Sequence, residues 1–551
     1  MNDSITVAEF LLARLQQLGV KHIFGVPGDY VLDFMDRILD SPIKLVSTCN
    51  ELNAGYAADG YARVNGIGAA VVTYGVGGFS IVNAVAGAYA EQVPLIVISG
   101  APHSSQRTSH ALVHHITKNY YLQYEIFRKI TVDSVMLADP AKAVSEIDRV
   151  LKNCISHSRP VYIEIPVDMV DSICEPSDMS HFKIERTSDP ASLDACVEKC
   201  AEFIDVSKNP VIIAGTEIGR FKLADTLLEL VERVEIPYVT MVGSKSVLPE
   251  LHPQFAGVYQ GALSRKHVRE NVENSDCIIA LGVWLNDFNT GGFSAKLDED
   301  RMINVNSEFT KIGRLDYQKI WMGDLIGKLS RKLKTRNYIS SHPISVHFPT
   351  CGYEPETGRK LTAKRFFERV NTMLTDSMVL LAEAGDSICA APSFYIQEPE
   401  NFIAQAYYLS IGFCIPASLG VSIANPAKRP VVLTGDGAFQ MTCQELSTII
   451  RYDCNPIIFL INNEGYVIEK MIHDGPYNNI QDWKYHMLPE VFGKGNSVSF
   501  DVRTEDELET AILTAIAETS KAVFIEIHTA PYDCSELLAQ ISQKIRSLSK
   551  K

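Results

Sequence analysis

Short apolar runs rich in valine, isoleucine and leucine recur along the chain, and most meet a glycine within a few residues: HIFGVPG, AAVVTYG, PLIVISG, PVIIAG, CIIALGV, MVLLAEAG, PVVLTGDG. Each is strand length, and most lack the alternation of a sheet with one wet face. Helix-period stretches separate them. The first, VAEFLLARLQQLG, sets Val7, Phe10, Leu11 and Leu18 on one face and stops at Gly19. Strands buried on both faces and joined through helices make a parallel sheet covered by helices on both sides. Ligands of such sheets sit outside the carboxyl ends of the strands, which is where the chemistry of this chain is expected.

At 551 residues the chain exceeds what one core serves. Two segments without clear periodicity, SICEPSDMSHFKIERTSDP (172–190) and RNYISSHPISVHFPTCGYEPETG (336–358), divide it. The expected organisation is α/β, three doubly wound parallel-sheet domains over 1–180, 190–340 and 358–551. The formal net charge of −15 opposes general affinity for nucleic acid or anionic lipid. No apolar run approaches the length of a membrane span, and MNDSITVAEF lacks the basic and apolar regions of a signal peptide, so a cytoplasmic address is expected. Twelve cysteines run from Cys49 to Cys534 with no CxxC and no Cys/His cluster, as suits reduced core thiols. Cys196 and Cys200, at helical spacing, read as packing.

The stretch PVVLTGDGAFQMTCQELSTIIRYDCNPIIFLINNEGYVIEK (430–470) carries the most specific signal. A strand runs into Gly435-Asp436-Gly437, a helix follows, and a second strand runs into Asn462-Asn463. Neighbouring parallel strands bring their carboxyl ends together, so Asp436 and Asn463 arrive at one point. Hard oxygen ligands of this kind suit Mg²⁺, which completes its shell with water and phosphate. Gly435 and Gly437 let backbone approach phosphate oxygens, and a helix starting near Ala438 points its amides at them. Asp-Gly alone is a common turn; GDG, 24 residues, then NN within a strand–helix–strand unit is not.

That arrangement resembles the diphosphate-binding motif of thiamine diphosphate enzymes. In that family the aspartate, the second asparagine and a backbone carbonyl two residues on hold the metal, which implies Asp436, Asn463 and Gly465 here. The cofactor is activated by a carboxylate on its pyrimidine ring, and TCNELNAGYAADGYAR (48–63) resembles the family's pyrimidine-binding domain, with Glu51 at the activating position. In YLSIGF (408–413), Ile411 matches the large aliphatic residue beneath the cofactor and the Leu409 carbonyl the acceptor for its amino group. Asp386 and Ser387, in AEAGDS, match cofactor-side polar residues. The resemblance also implies that first and third domains face each other across a subunit boundary, hence a homodimer at minimum and a homotetramer as the expected assembly.

The likeness is closest to 2-oxo acid decarboxylases of the pyruvate, indolepyruvate and branched-chain type, through FGVPGDY, LVHHIT and EGYVIEK as well as the motifs above. It places Asp29, His114, His115 and Glu469 at that subfamily's catalytic positions. It implies non-oxidative decarboxylation of a 2-oxo acid, a small-molecule substrate, through an enamine whose carbon must be protonated before it meets another carbonyl. Histidines and carboxylic acids of raised pKa can supply such protons. Ala384 and Cys389 are smaller than the residues usual in relatives. With Ile388, Ile468, Ile472, Leu537, Ile541 and Ile545 as an aliphatic wall, they favour longer or branched 2-oxo acids over pyruvate. The alternative is a carboligase of the acetolactate synthase kind, which calls for neither the histidine pair nor an acid at Glu469. An idle regulatory subunit would be expected to lack one of Glu51, Asp436 or Asn463.

Overall fold

The computed structural model describes residues 5–176, 179–180, 184, 186–335, 353–493 and 495–549, so most of the 336–358 segment lies outside the described residues. Among them are three large sheets. The first runs Lys44–Ser47, His22–Gly25, Gly68–Val72, Leu95–Ala101, Val161–Pro166, Asp133–Met136, all parallel. The third runs Phe402–Ile403, Met378–Ala382, Arg429–Gly435, Ile457–Asn462, Ala522–His528, Ser497–Val502, also all parallel. Numbered within each sheet in chain order, both read 2-1-3-4-6-5. Their central strands, such as Gly68–Val72 and Ile457–Asn462, are buried at every position, as continuous apolar runs require.

The middle sheet departs from the expected all-parallel form. Phe255–Val258, Tyr238–Thr240, Pro210–Ala214, Cys277–Leu281 and Met302–Val305 are parallel, but the edge is an antiparallel hairpin, Thr310–Ile312 with Leu315–Tyr317. Gly313 in the connecting pair has φ +55°, the left-handed conformation that such tight loops need. A second departure lies in the segment read as a linker: Ile173–Cys174 pairs antiparallel with Ile5–Thr6 and ties the chain's start to the end of the first domain. Cys196 and Cys200 are buried in the middle domain's core.

Helix Glu51–Asn65 and helix Cys414–Ala424 join the first and third domains into one apolar core. They touch backbone to backbone. A β-carbon on Gly60 would lie 2.4 Å from the Ala417 carbonyl, and one on Gly420 would lie 1.9 Å from that of Ala57, so only glycine allows the crossing. The middle domain is fastened to the third around its own buried ion pair, Lys245 to Glu250 at 2.7 Å. Lys245 also donates to the Phe394 carbonyl, and Glu250 accepts from the Ile396 amide. In both parallel sheets the carboxyl ends of the strands lead into the loops that carry the candidate residues.

Candidate active site

On the first rim, strand His22–Gly25 turns through Gly28 into Asp29, and the loop after strand Leu95–Ala101 returns with His114 and His115. His114 Nε2 lies 2.5 Å from Asp29 Oδ2, and His115 Nε2 lies 4.0 Å from Oδ1. The His114 ring stacks on Tyr30 at 4.8 Å, and the two imidazoles meet edge to face at 4.6 Å. Tyr30 is buried, which pushes its hydroxyl pKa above the ordinary value, so the ring is a neutral platform. Asp29 and His114 remain about half exposed, open to a guest at the rim.

Glu51 opens its helix behind Asn50, whose side chain caps the Asn53 amide at 2.8 Å. The turn after strand Gly68–Val72 connects it to the histidines. A β-carbon on Gly77 would sit 3.3 Å from Glu51 Oε1, and one on Gly75 would strike the His115 carbonyl at 2.4 Å. Gly75 has φ +69° and ψ −95°, closed to residues with a side chain. One glycine turn thus spaces Glu51 from the Asp29–His114–His115 cluster.

On the third rim, Asp436 ends strand Arg429–Gly435 and opens helix Asp436–Thr442, which begins two residues before the expected start near Ala438. The Asp436 carboxylate is buried and accepts from the amides of Gly437 (2.7 Å) and Gly465 (3.0 Å). Burial raises its pKa to about 6 against those amides. The adjacent asparagines divide their work. Asn462 donates to Glu526 (2.9 Å) and Asp482 (3.1 Å), whereas Asn463 is buried with its amide oxygen unpartnered among the described residues. A buried orphan oxygen beside a buried carboxylate is what a cation of hard-ligand preference requires. Glu469, in the first turn of helix Val467–Ile472, is exposed.

The remaining sequence-predicted positions divide. Leu409 has φ +55° and Ile411 is 37 % exposed, at the end of a loop held by Ser410 to Tyr56 (2.5 Å). Gly435 has open space where a side chain would stand. Cys389, Ile541, Leu537, Ile545 and Ile468 share one apolar cluster with Val467, Leu538 and Met471. Ile388 does not join it: it packs with Val242, Ala382, Ala404 and Ala406 at the seam to the middle domain. Ile472 is also absent from that cluster, because the helix turns Met471 inward and ends there. Ala384 is half-buried beside Gly385, and Ser387 is buried. Asp386, expected to face the cofactor, has both carboxylate oxygens engaged by the Ser535 amide at 3.1 and 3.0 Å. Sequence reasoning missed Ser535, although a serine preceding the amphipathic run ELLAQISQKI is an N-cap signal.

Among the described residues no hydrogen bond or ion pair joins Asp29, His114, His115 or Glu51 to Asp436, Asn463 or Glu469 within the chain. Instead, the start of helix Glu51–Asn65 meets Glu445, which accepts from Asn53 (2.8 Å) and the Cys49 amide (3.2 Å).

Two like sheets, with a buried Asp–Asn pair at the strand ends of one and a carboxylate-led helix beside the other, define a thiamine pyrophosphate enzyme. Residues 5–124 match the thiamine pyrophosphate enzyme N-terminal TPP binding domain, 197–324 its central domain and 383–527 its C-terminal TPP binding domain. A probable pyruvate decarboxylase of Schizosaccharomyces pombe is 34% identical over 98% of this chain and 95% of its own length. Pyruvate decarboxylase 1 of Pisum sativum is 35% identical over 98% and 93%. An alpha-keto-acid decarboxylase of Mycobacterium leprae is 36% identical over 98% and 95%. The chain belongs to the thiamine diphosphate-dependent 2-oxo acid decarboxylase family, and its activity is 2-oxo acid decarboxylation with that cofactor. None of the described helices is long and apolar enough to cross a membrane.

Proposed function

We propose that this enzyme releases CO₂ and the corresponding aldehyde from a 2-oxo acid without oxidation, and that it prefers larger aliphatic or branched acids to pyruvate. The observation that carries the reading is the Asp29–His114–His115 cluster, two imidazoles gathered on one carboxylate at an open rim. Thiamine diphosphate, when bound, supplies the carbon nucleophile and the electron sink for the carbon that loses CO₂. The chain's own task is to protonate that carbon before a second carbonyl reaches it. His114 and His115 orient substrate and relay protons, and Asp29 fixes the His114 ring through Nε2. The exposed Glu469 carboxylate disfavours a second carboxylate beside it, which promotes departure of CO₂. Glu51 serves the proton exchange on the cofactor's pyrimidine ring.

Mg²⁺ would be held by Asp436, the orphaned Asn463 amide oxygen and the Gly465 carbonyl, a hard oxygen set supported by the buried, unpartnered Asn463 oxygen. The preference for larger acids is supported by the small Cys389 packed among Val467, Leu538 and Ile541 in an apolar cluster. The separate rims within one chain support a homodimer at minimum, with each site shared between copies, and a homotetramer as the assembly. The domain limits remain 1–180, 190–340 and 358–551, and the enzyme is cytoplasmic on this reading.

The test is product analysis. Purified protein with Mg²⁺ and thiamine diphosphate is given a chain-length series of 2-oxo acids, and CO₂ and organic products are quantified. Stoichiometric aldehyde, with the highest kcat/KM on a longer or branched acid, is expected. Acyloin or acetohydroxy acid as the main product means that carbon intercepts the intermediate, the carboligase outcome, and overturns the roles given to His114, His115 and Glu469.

A further inference from the structure

We propose that Asp386 is a positioning residue that clamps the start of the C-terminal helix through Ser535, and thereby holds the apolar wall of the substrate pocket in place. The inference rests on the pocket reading given above. Asp386 and Ser535 are both buried, at 8% and 9% exposure. The Ser535 amide donates to both carboxylate oxygens at 3.1 and 3.0 Å, and its hydroxyl donates to Oδ1. The same hydroxyl accepts from the Leu538 amide at 3.2 Å, as the cap of helix Glu536–Ser549. Asp386 therefore holds the residue that starts the helix.

The helix carries the wall. Leu538 and Ile541 lie against Cys389 and Val467, with Ile468, Met471, Leu537 and Ile545 packed on them. Cys389 stands three residues after Asp386 on the short helix Asp386–Ala390, and Val467 and Ile468 begin the helix of Glu469. Clamp, pocket floor and the Glu469 helix thus meet in one packed unit. Farther along, Lys544 donates to the Gly291 carbonyl at 2.7 Å and Arg546 to the Ile472 carbonyl at 3.0 Å. These attachments hold the distal turns, and Asp386 holds the start of the helix. A carboxylate withdrawn from water must be compensated by such bonds, so the contact is worth more than an exposed cap. Burial raises the Asp386 pKa to about 6, against the Ser535 donors that pull it down.

The test uses the holoenzyme with Mg²⁺ and thiamine diphosphate, and the variants Asp386→Asn, Ser535→Ala, the double variant and Ser535→Thr. Three quantities are read: hydrogen exchange of residues 536–546, KM and kcat for pyruvate and for a long aliphatic 2-oxo acid, and cofactor affinity by titration. Loss of a bond to a buried charge predicts about tenfold faster exchange in both single variants. KM for the long acid rises more than kcat falls and more than KM for pyruvate, the double variant is no worse than the worse single, and Ser535→Thr recovers. Ser535→Ala with unchanged exchange and KM, while Asp386→Asn weakens only cofactor binding, overturns the proposal and makes Asp386 a cofactor residue. A wild-type preference for pyruvate defeats the pocket reading alone. Exchange still decides the clamp: faster exchange in both single variants supports it, and unchanged exchange overturns it.

Discussion

Replacing Asn463 with alanine separates a ligand-binding residue from a structural one, because its buried amide oxygen has no partner among the described residues. An unmade hydrogen bond at a buried acceptor costs about 1–3 kcal/mol. Removing the amide relieves that cost and leaves a gap worth about 1 kcal/mol, so the cofactor-free variant is expected within roughly 1 kcal/mol of wild type. Its neighbour behaves oppositely. Asn462 donates to the buried Glu526 and to Asp482, so Asn462→Ala is expected to cost about 1–3 kcal/mol without any ligand. Ligand changes the picture for Asn463. At ligand about a hundredfold above Kd, wild type gains about 2.7 kcal/mol; with affinity reduced about a hundredfold the variant gains about 0.4 kcal/mol. Thermal or urea unfolding of both proteins, cofactor-free and with fixed Mg²⁺ and thiamine diphosphate, reads the difference. A variant already lower by more than about 2 kcal/mol without ligand, or one stabilised by ligand as much as wild type, refutes the assignment of the orphan oxygen to a cation.

Gly75→Ala cannot keep φ +69° and ψ −95° without strain and drives a β-carbon into the His115 carbonyl, so kcat should fall about a hundredfold with cofactor affinity retained. Steady-state kinetics beside a cofactor titration separates the two. Glu383 is fully buried between the Cys414 and Ala384 amides, and burial raises its pKa to about 7. A carboxyl whose folded pKa lies above its unfolded value stabilises the fold below the unfolded pKa, and that contribution is lost as pH rises through the folded one. Stability should therefore decline between pH about 4.5 and 7, by on the order of 3 kcal/mol from this group. Glu383→Gln, followed by unfolding across that range, should flatten the decline. Cys389→Phe adds a ring against Leu538 and Ile541, costs about 1–3 kcal/mol of overpacking, and should lower kcat/KM for long 2-oxo acids more than for pyruvate.

Much of this was legible in the sequence because it rests on local chemistry. Buried parallel strands must be apolar throughout, so PVVLTG and PIIFLIN announced themselves, and a strand's carboxyl end is where Asp436 and Asn463 had to stand. Side-chain direction within short helices was not legible. Ile388 and Cys389 are adjacent, yet one enters the seam to the middle domain and the other the C-terminal cluster, and Met471 replaces Ile472 because the helix ends at that residue. Neither direction follows from hydrophobicity, since all four residues are apolar and only tertiary packing chooses. The antiparallel hairpin at 310–317 escaped for the opposite reason: its strands have three residues each, too few for a period to show.

The shared 2-1-3-4-6-5 strand order explains why the functional residues fall into two sets. Each sheet offers one rim of strand carboxyl ends, and in the roles proposed above each rim carries part of the chemistry: acid–base groups at Asp29, His114, His115 and Glu51, oxygen ligands at Asp436 and Asn463. Helices Glu51–Asn65 and Cys414–Ala424 fix the first domain against the third within the chain, locked where Gly60 meets Ala417 and Gly420 meets Ala57. A contact of backbone on backbone has no slack for a hinge. On the reading proposed here, a second copy must bring the missing rim, so activity should depend on protein concentration as sites form only on association, while cofactor-independent folding of each chain should not. Dilution until kcat per chain falls, followed by recovery on adding an inactive Glu51→Gln chain that still contributes its Asp436 rim, reads that complementation directly.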